Sequence, residues 1–219
     1  MLSRPLALLA LAAVLLAPPA AGAEGPEKIR NHFDSDAPMR PPGYFEFTVL
    51  GPPGAADWKV LADYNPPSTP NQVTQTILDR PADSVAVALR RNVAFRDGGV
   101  SVGLRNGSGR AGLALRITKE KDCLLLLVDL ESGEARLSRL TGGKSAELAS
   151  GRIQADRAWS TLSVALDGPK VRAMWDDRPL LEATDPRPAA GRMGLATSGE
   201  GAAAFDELVI ESRDGSPKP

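Results

Sequence analysis

The sequence predicts an all-β protein built as a two-sheet antiparallel sandwich of the jelly-roll kind. Three observations carry this. About a dozen short segments read as strands, many with apolar residues at every second position. Turns rich in Gly, Pro and Asp separate them at short intervals, the spacing of a sandwich or barrel. Beyond residue 23 no segment of about ten residues keeps a helical period, and no short repeat marks a β-helix.

The chain opens on an export signal, with Arg4 as the positive region, Leu6 to Leu16 as the apolar run and Ala21-Gly-Ala23 as the cleavage motif. The run is much shorter than the ~20 residues of a membrane-spanning helix, and Pro18-Pro19 ends it. No cysteine lies near the cleavage point, so no lipid anchor is expected. Residues 1–23 are therefore read as a signal peptide, 24–42 as an N-terminal arm, 43–212 as one jelly-roll domain and 213–219 as a disordered tail. A soluble, monomeric protein in the periplasm or outside the cell is expected.

Within the arm, Ile29 to Phe33 is a short strand packing on an edge. Tyr44 to Leu50 is the next strand, and Gly51-Pro-Pro-Gly54 breaks it. Trp58 to Asp63 and Gln72 to Ile77 follow, separated by the stiff Pro66-Pro-Ser-Thr-Pro70 loop. Val85 to Leu89 and Val100 to Leu104 flank Asp97-Gly-Gly99, which predicts a hairpin or meander. Gly112 to Ile117 places Leu113, Leu115 and Ile117 on one face and Ala114 and Arg116 on the other. Leu124 to Leu130 is apolar on both faces, as a central strand covered on both sides would be. Strands at Ala135 to Leu140 and Ser145 to Ala149 turn at Thr141-Gly-Gly-Lys144. The last third supplies Trp159 to Leu166, Val171 to Trp175, Leu180 to Ala183, Gly191 to Thr197 and Ala203 to Glu211.

Charge narrows the function classes. The 26 Lys and Arg against 27 Asp and Glu leave a net charge of −1, with no basic stripe for nucleic acid. No basic amphipathic helix suits a membrane surface. Cys123 is the single cysteine, so no internal disulfide can form, and the single histidine, His32, lies far from it in sequence; a buried, unreactive thiol is expected. With one imidazole in the chain, no cofactor is expected. The alternative is an oxygen-rich calcium site drawn from Asp176, Asp177 and Asp185, although acids at a hairpin turn usually bond backbone donors. Asn106-Gly-Ser108 matches a glycosylation sequon and reads as turn chemistry.

Several phrases occur in the order found in one family: Trp58-Lys-Val-Leu-Ala-Asp63, Gln75-Thr76, Gly112-Leu-Ala-Leu-Arg116, Leu130-Glu131, Trp159-Ser-Thr-Leu162, Trp175-Asp-Asp177, Glu182-Ala-Thr-Asp185, Gly191-Arg-Met-Gly-Leu195 and Phe205-Asp206. In these the chain resembles the concanavalin A-like lectin and glucanase superfamily, especially the 3-keto-disaccharide hydrolase branch. The resemblance implies a curved sandwich whose concave face binds or processes saccharides. The chain departs from that branch after Asp122, where an Asn-Tyr-Tyr-like run is replaced by Cys123-Leu-Leu-Leu126. Those tyrosines would be sugar platforms.

Candidate site residues follow. The Glu-x-Asp-x-x-Glu motif of retaining glucanases is absent; Asp129-Leu-Glu131-Ser-Gly-Glu134 has its spacing with the first two acids exchanged. Asp129 and Glu131 should share a sheet face while Glu134 swings away at Gly133. Arg116, Glu131 and Gln75 are the polar residues expected on sheet faces, where together they could bind sugar hydroxyls. The competing structural reading is a buried Arg-Glu pair. Trp58 is the candidate ligand platform, with Trp159 and Trp175 in the core. The expected function is a carbohydrate-associated binding or accessory module with a saccharide ligand. The alternatives are a hydrolase or lyase acting on 3-keto-glycosides, and a structural domain contacting a partner protein. A binding module requires exposed aromatic surface, an enzyme requires a cleft carboxylate with a shifted pKa, and the structural domain requires a concave face filled with Leu and Val.

Overall fold

The computed structural model describes residues 27–63, 65–77, 79–105, 109–154, 157–199 and 203–213. The expected signal peptide, the Asn106-Gly-Ser108 sequon and residues 214–219 of the expected tail lie outside them.

The described residues form fifteen strands. The first five are β1 (Glu27–Asn31), β2 (Phe45–Leu50), β3 (Trp58–Ala62), β4 (Asn71–Gln75) and β5 (Val85–Phe95). Next come β6 (Gly98–Arg105), β7 (Arg110–Ile117), β8 (Cys123–Asp129), β9 (Glu134–Thr141) and β10 (Lys144–Arg152). The last are β11 (Trp159–Asp167), β12 (Lys170–Trp175), β13 (Arg178–Thr184), β14 (Gly191–Ser198) and β15 (Ala204–Ser212). One sheet runs β13-β12-β11-β6-β15-β4-β3, with β1 also paired to β15. The other runs β10-β9-β8-β7-β14-β5-β2. Every pairing is antiparallel, so the predicted two-sheet sandwich is the observed fold.

Alternation builds the core. Leu113 and Leu115 on β7, Leu124 and Leu126 on β8 and Leu137 on β9 meet Val102, Leu104, Leu162 and Phe205 from the opposite sheet. Burying each such side chain contributes about 1.5–3 kcal/mol. The arm behaves as expected in kind: β1 extends the sheet by pairing with the C-terminal half of β15.

The expected hairpin at Asp97-Gly-Gly99 is not formed. β5 belongs to one sheet and β6 to the other, so Arg96 and Asp97 carry the chain across the sandwich. Both edges of β5 are occupied, by β14 and β2, which leaves β6 no edge to pair with. Gly142 and Gly143 form a tight β9–β10 turn with φ of 55° and 76°, a conformation that suits glycine.

Candidate functional site

The outer face of the β2-containing sheet is the grooved one. Its register sets three rows across the strands. Leu50, Val85, Ser198, Arg110 and Asp129 form the first, and Val87, Ala196, Gly112, Leu127 and Arg136 the second. Leu89, Gly194, Ala114, Leu125 and Ser138 form the third. Small residues occupy the middle of the second and third rows, with Val87 and Leu89 on one side and Leu127 and Leu125 on the other. Gly112 is required here because β8 approaches so closely that a Cβ would collide with the Leu126 carbonyl oxygen.

A groove of about 600 Å³ lies over this face, floored by Leu50, Val85, Leu125, Leu127 and Leu140. Its rim is ion-paired: Arg110 stands 3.6 Å from Asp129, and Arg136 lies 2.6 Å from Glu134 and 3.0 Å from Glu147. Ser138, Ser145 and Ser198 add hydroxyls. The lining carries two arginines against four carboxylates, Asp83, Asp129, Glu134 and Glu147, for a formal charge of −2. Among the described residues no aromatic ring lines it.

The turn between β7 and β8 straps the rest of the face. Lys121 donates from Nζ to the Val49 carbonyl of β2 at 3.2 Å. β14 and β5 separate β7 from β2 in the sheet, and Ile117 and Val49 stand at opposite ends of the strand rows. The turn therefore crosses the outer face, where Ile117 joins an apolar cluster with Val87, Leu89 and Cys123. Val87 is completely buried although it stands on an outer face. Burial raises the Cys123 thiol to about 12, so no thiolate is on offer.

Two of the groove carboxylates, Asp129 and Glu134, are poorly suited to acid catalysis. Hydrogen bonding from Ser132, chiefly its backbone N–H, holds Asp129 below the usual carboxylate range. The hydrogen bond from Arg136 does the same for Glu134. A general acid at neutral pH needs the opposite shift. Among the described residues one carboxyl is raised, Asp206, pushed to about 6 by burial. It belongs to the other sheet and is fully buried, accepting hydrogen bonds from Ser68 N, Ser68 Oγ and Glu207 N.

The four expected ligand residues do not converge. Trp58 is 1 % exposed and packs on Phe205 with ring centroids 5.8 Å apart, so it is a core residue rather than a platform. Its cross-strand partner Gln75 is fully buried. Arg116 points into the sandwich because a β-bulge reverses the alternation: between the Ala114–Gly194 and Ile117–Arg192 pairs, Leu115 and Arg116 of β7 oppose Met193 alone on β14, with Arg116 at φ 53°. Arg116 Nη1 lies 2.7 Å from Asp185 Oδ2, its guanidinium donates to the Arg96 and Gly168 carbonyls, and Arg139 completes the buried cluster 3.4 Å from Asp185. The expected Arg-Glu pairing is thus an Arg-Asp one. Glu131 is exposed in the β8–β9 turn, not on a sheet face, because Asp129 Oδ1 caps that turn by accepting from Glu131 and Ser132 N–H. Asp129 and Glu134, expected to diverge, line the same groove.

Trp175 is buried as expected, whereas Trp159 is half-buried. The three aspartates considered for calcium are separately engaged: Asp185 by two arginines, Asp176 as acceptor for Thr161 N–H, and Asp177 in the exposed turn after β12. Among the described residues no group of three or more His, Cys, Asp or Glu could hold a metal. Sequence reasoning missed the rim pairs of Arg110, Arg136 and Glu147. Only cross-strand register brings them over Leu125 and Leu127, and no local spacing encodes that.

No protein-family model and no curated protein matches the chain. Solved structures do. The carbohydrate binding module CBM66 of Bacillus subtilis is 18 % identical at a TM-score of 0.59, covering 78 % of this chain and 98 % of that one. The Bacillus licheniformis beta-glucanase is 10 % identical at 0.55, with coverage of 87 % and 99 %. A Bacillus subtilis protein of unknown function with a galectin-like fold is 13 % identical at 0.57, with coverage of 87 % and 97 %. Carbohydrate-binding modules and glycoside hydrolases thus share one scaffold with this chain, which has the concanavalin A-like lectin and glucanase fold.

Proposed function

We propose that the protein is an exported, non-catalytic binding module whose groove holds an extended segment of a partner protein. The segment carries aliphatic side chains and at least one basic residue. One observation carries this reading: the face that would need sugar platforms or a free acid is floored by Leu and Val. Aliphatic side chains desolvate another aliphatic chain well but lack the flat ring that packs on a pyranose. The formal charge of −2 favours a basic flank, and about 600 Å³ lies within the range of ligand pockets. Export rests on Arg4, the Leu6 to Leu16 run and Ala21-Gly-Ala23.

A neutral saccharide is the second reading, favoured by the scaffold shared with a carbohydrate binding module and by the rim hydroxyls of Ser138, Ser145 and Ser198. The phrases shared with the 3-keto-disaccharide hydrolase branch support descent from that branch. The low-pKa, arginine-paired carboxylates support a member without its activity.

The test is calorimetric titration with Leu- and Val-rich peptides carrying one Lys, and separately with neutral gluco-oligosaccharides. Saturable peptide binding weakened about tenfold or more in Leu127→Asp supports the first reading. Saccharide binding with the same sensitivity supports the second. Release of sugar product from a 3-keto-glycoside would rule out a non-catalytic module.

A further inference from the structure

A second cavity lies where the two sheets meet at their edges, beside β10 and β13. It measures about 410 Å³. Arg152 at the end of β10, Arg157 just before β11 and Arg178 at the start of β13 all line it. Among the described residues its one carboxylate is Asp176, whose Oδ1 already accepts the Thr161 N–H at 2.8 Å. Arg152 and Arg178 set two guanidinium groups against that one carboxylate, in a chain whose net charge is −1.

The arrangement differs from the other groove in sign and in pairing. There each rim arginine has a carboxylate within 4.0 Å. Here no carboxylate among the described residues comes that close to Arg152 or Arg178. Glu134, the cross-strand partner of Arg152, is held instead by Arg136. The base of the cavity is well fixed: Trp175 is buried, and its Nε1 donates to the Gln154 carbonyl at 3.3 Å. Asp176 and Asp177, at φ 48° and 62°, form the two-residue turn that sets Arg178 beside Trp175. Planar guanidinium groups lining one space can match the oxygens of an oxoanion bidentately.

We propose that this cavity is an oxoanion-binding site for a carboxylate, sulfate or phosphate, free or carried on a larger ligand. The site is independent of the Leu-floored groove and can succeed or fail without it. The test titrates the full mature chain, by calorimetry at low and moderate salt, with sodium sulfate, sodium phosphate, a sulfated oligosaccharide, an oligogalacturonate and a neutral gluco-oligosaccharide. Arg152→Gln and Arg178→Gln are compared with Arg40→Gln, an exposed arginine on another part of the surface.

The expected result is salt-sensitive binding of at least one anion, weakened about tenfold in Arg152→Gln and Arg178→Gln and unchanged in Arg40→Gln. Binding of the inorganic ions alone identifies a free oxoanion as the ligand. Tighter binding of one acidic oligosaccharide identifies a carried one. Anion binding no stronger than that of the neutral sugar, or equal in wild type and both cavity variants, overturns the proposal. Unchanged thermal unfolding of the exposed-site variants shows that any loss of binding is not a loss of fold.

Discussion

Arg116 shows how one residue can change the reading of a site. Alternation places it on the outer face, yet the left-handed bulge turns its guanidinium inward onto Asp185. Both side chains are fully buried, so removing either partner leaves an uncompensated charge. Arg116→Leu should cost about 3–5 kcal/mol in chemical denaturation, and a cost under ~1 kcal/mol would show that the cluster does not clamp the fold. Asp206 makes a pH prediction. Its carboxyl, pushed up to about 6 from a reference of 3.8, is protonated in the folded state before the unfolded one. Its contribution is therefore most favourable below about pH 4, declines as the pH rises to about 6, and stays lost above that. Asp206→Asn should remove a slope worth roughly 2–3 kcal/mol between those limits, seen as the difference between wild-type and variant stability curves. Cys123, raised to about 12, should react with a thiol reagent at pH 8 only after unfolding, and rapid labelling of the native protein would contradict its burial under the strap.

Among the elements, the strands were largely legible because each carries its own period, as in β11 and β12, where buried and exposed residues alternate along the strand. Partnership was less so. The Asp97-Gly-Gly99 signal is a good local turn, but which sheet β6 joins depends on β14 and β2 having already taken both edges of β5. The bulge in β7 was likewise invisible, since Gly112-Leu-Ala-Leu-Arg116-Ile117 alternates without interruption and only the β14 register reveals the extra residue. The Thr118–Asp122 turn is another tertiary feature. Replacing it by a two-residue Asn-Gly turn should uncover Val87 and Leu89 and increase binding of an apolar dye, and an unchanged dye signal would show that the turn does not cover that face.

For the whole molecule, the scaffold was readable and its task was not. Core and turn phrases such as Gly191-Arg-Met-Gly-Leu195 specify the sandwich through packing: a Cβ at Gly191 would collide with the Arg116 backbone. The groove, by contrast, is assembled from β2, β5, β7, β8, β9, β10 and β14, and its character comes from Leu125 and Leu127 standing outward. The most direct measurement is methyl-resolved NMR of the mature chain during titration with a Leu- and Val-rich peptide carrying one Lys. Saturable shifts are expected at the Leu125, Leu127 and Leu140 methyls, with none at core methyls such as Leu113 and Leu137. Shifts absent from those three groove residues, or confined to the core or the opposite sheet, would contradict binding in the groove.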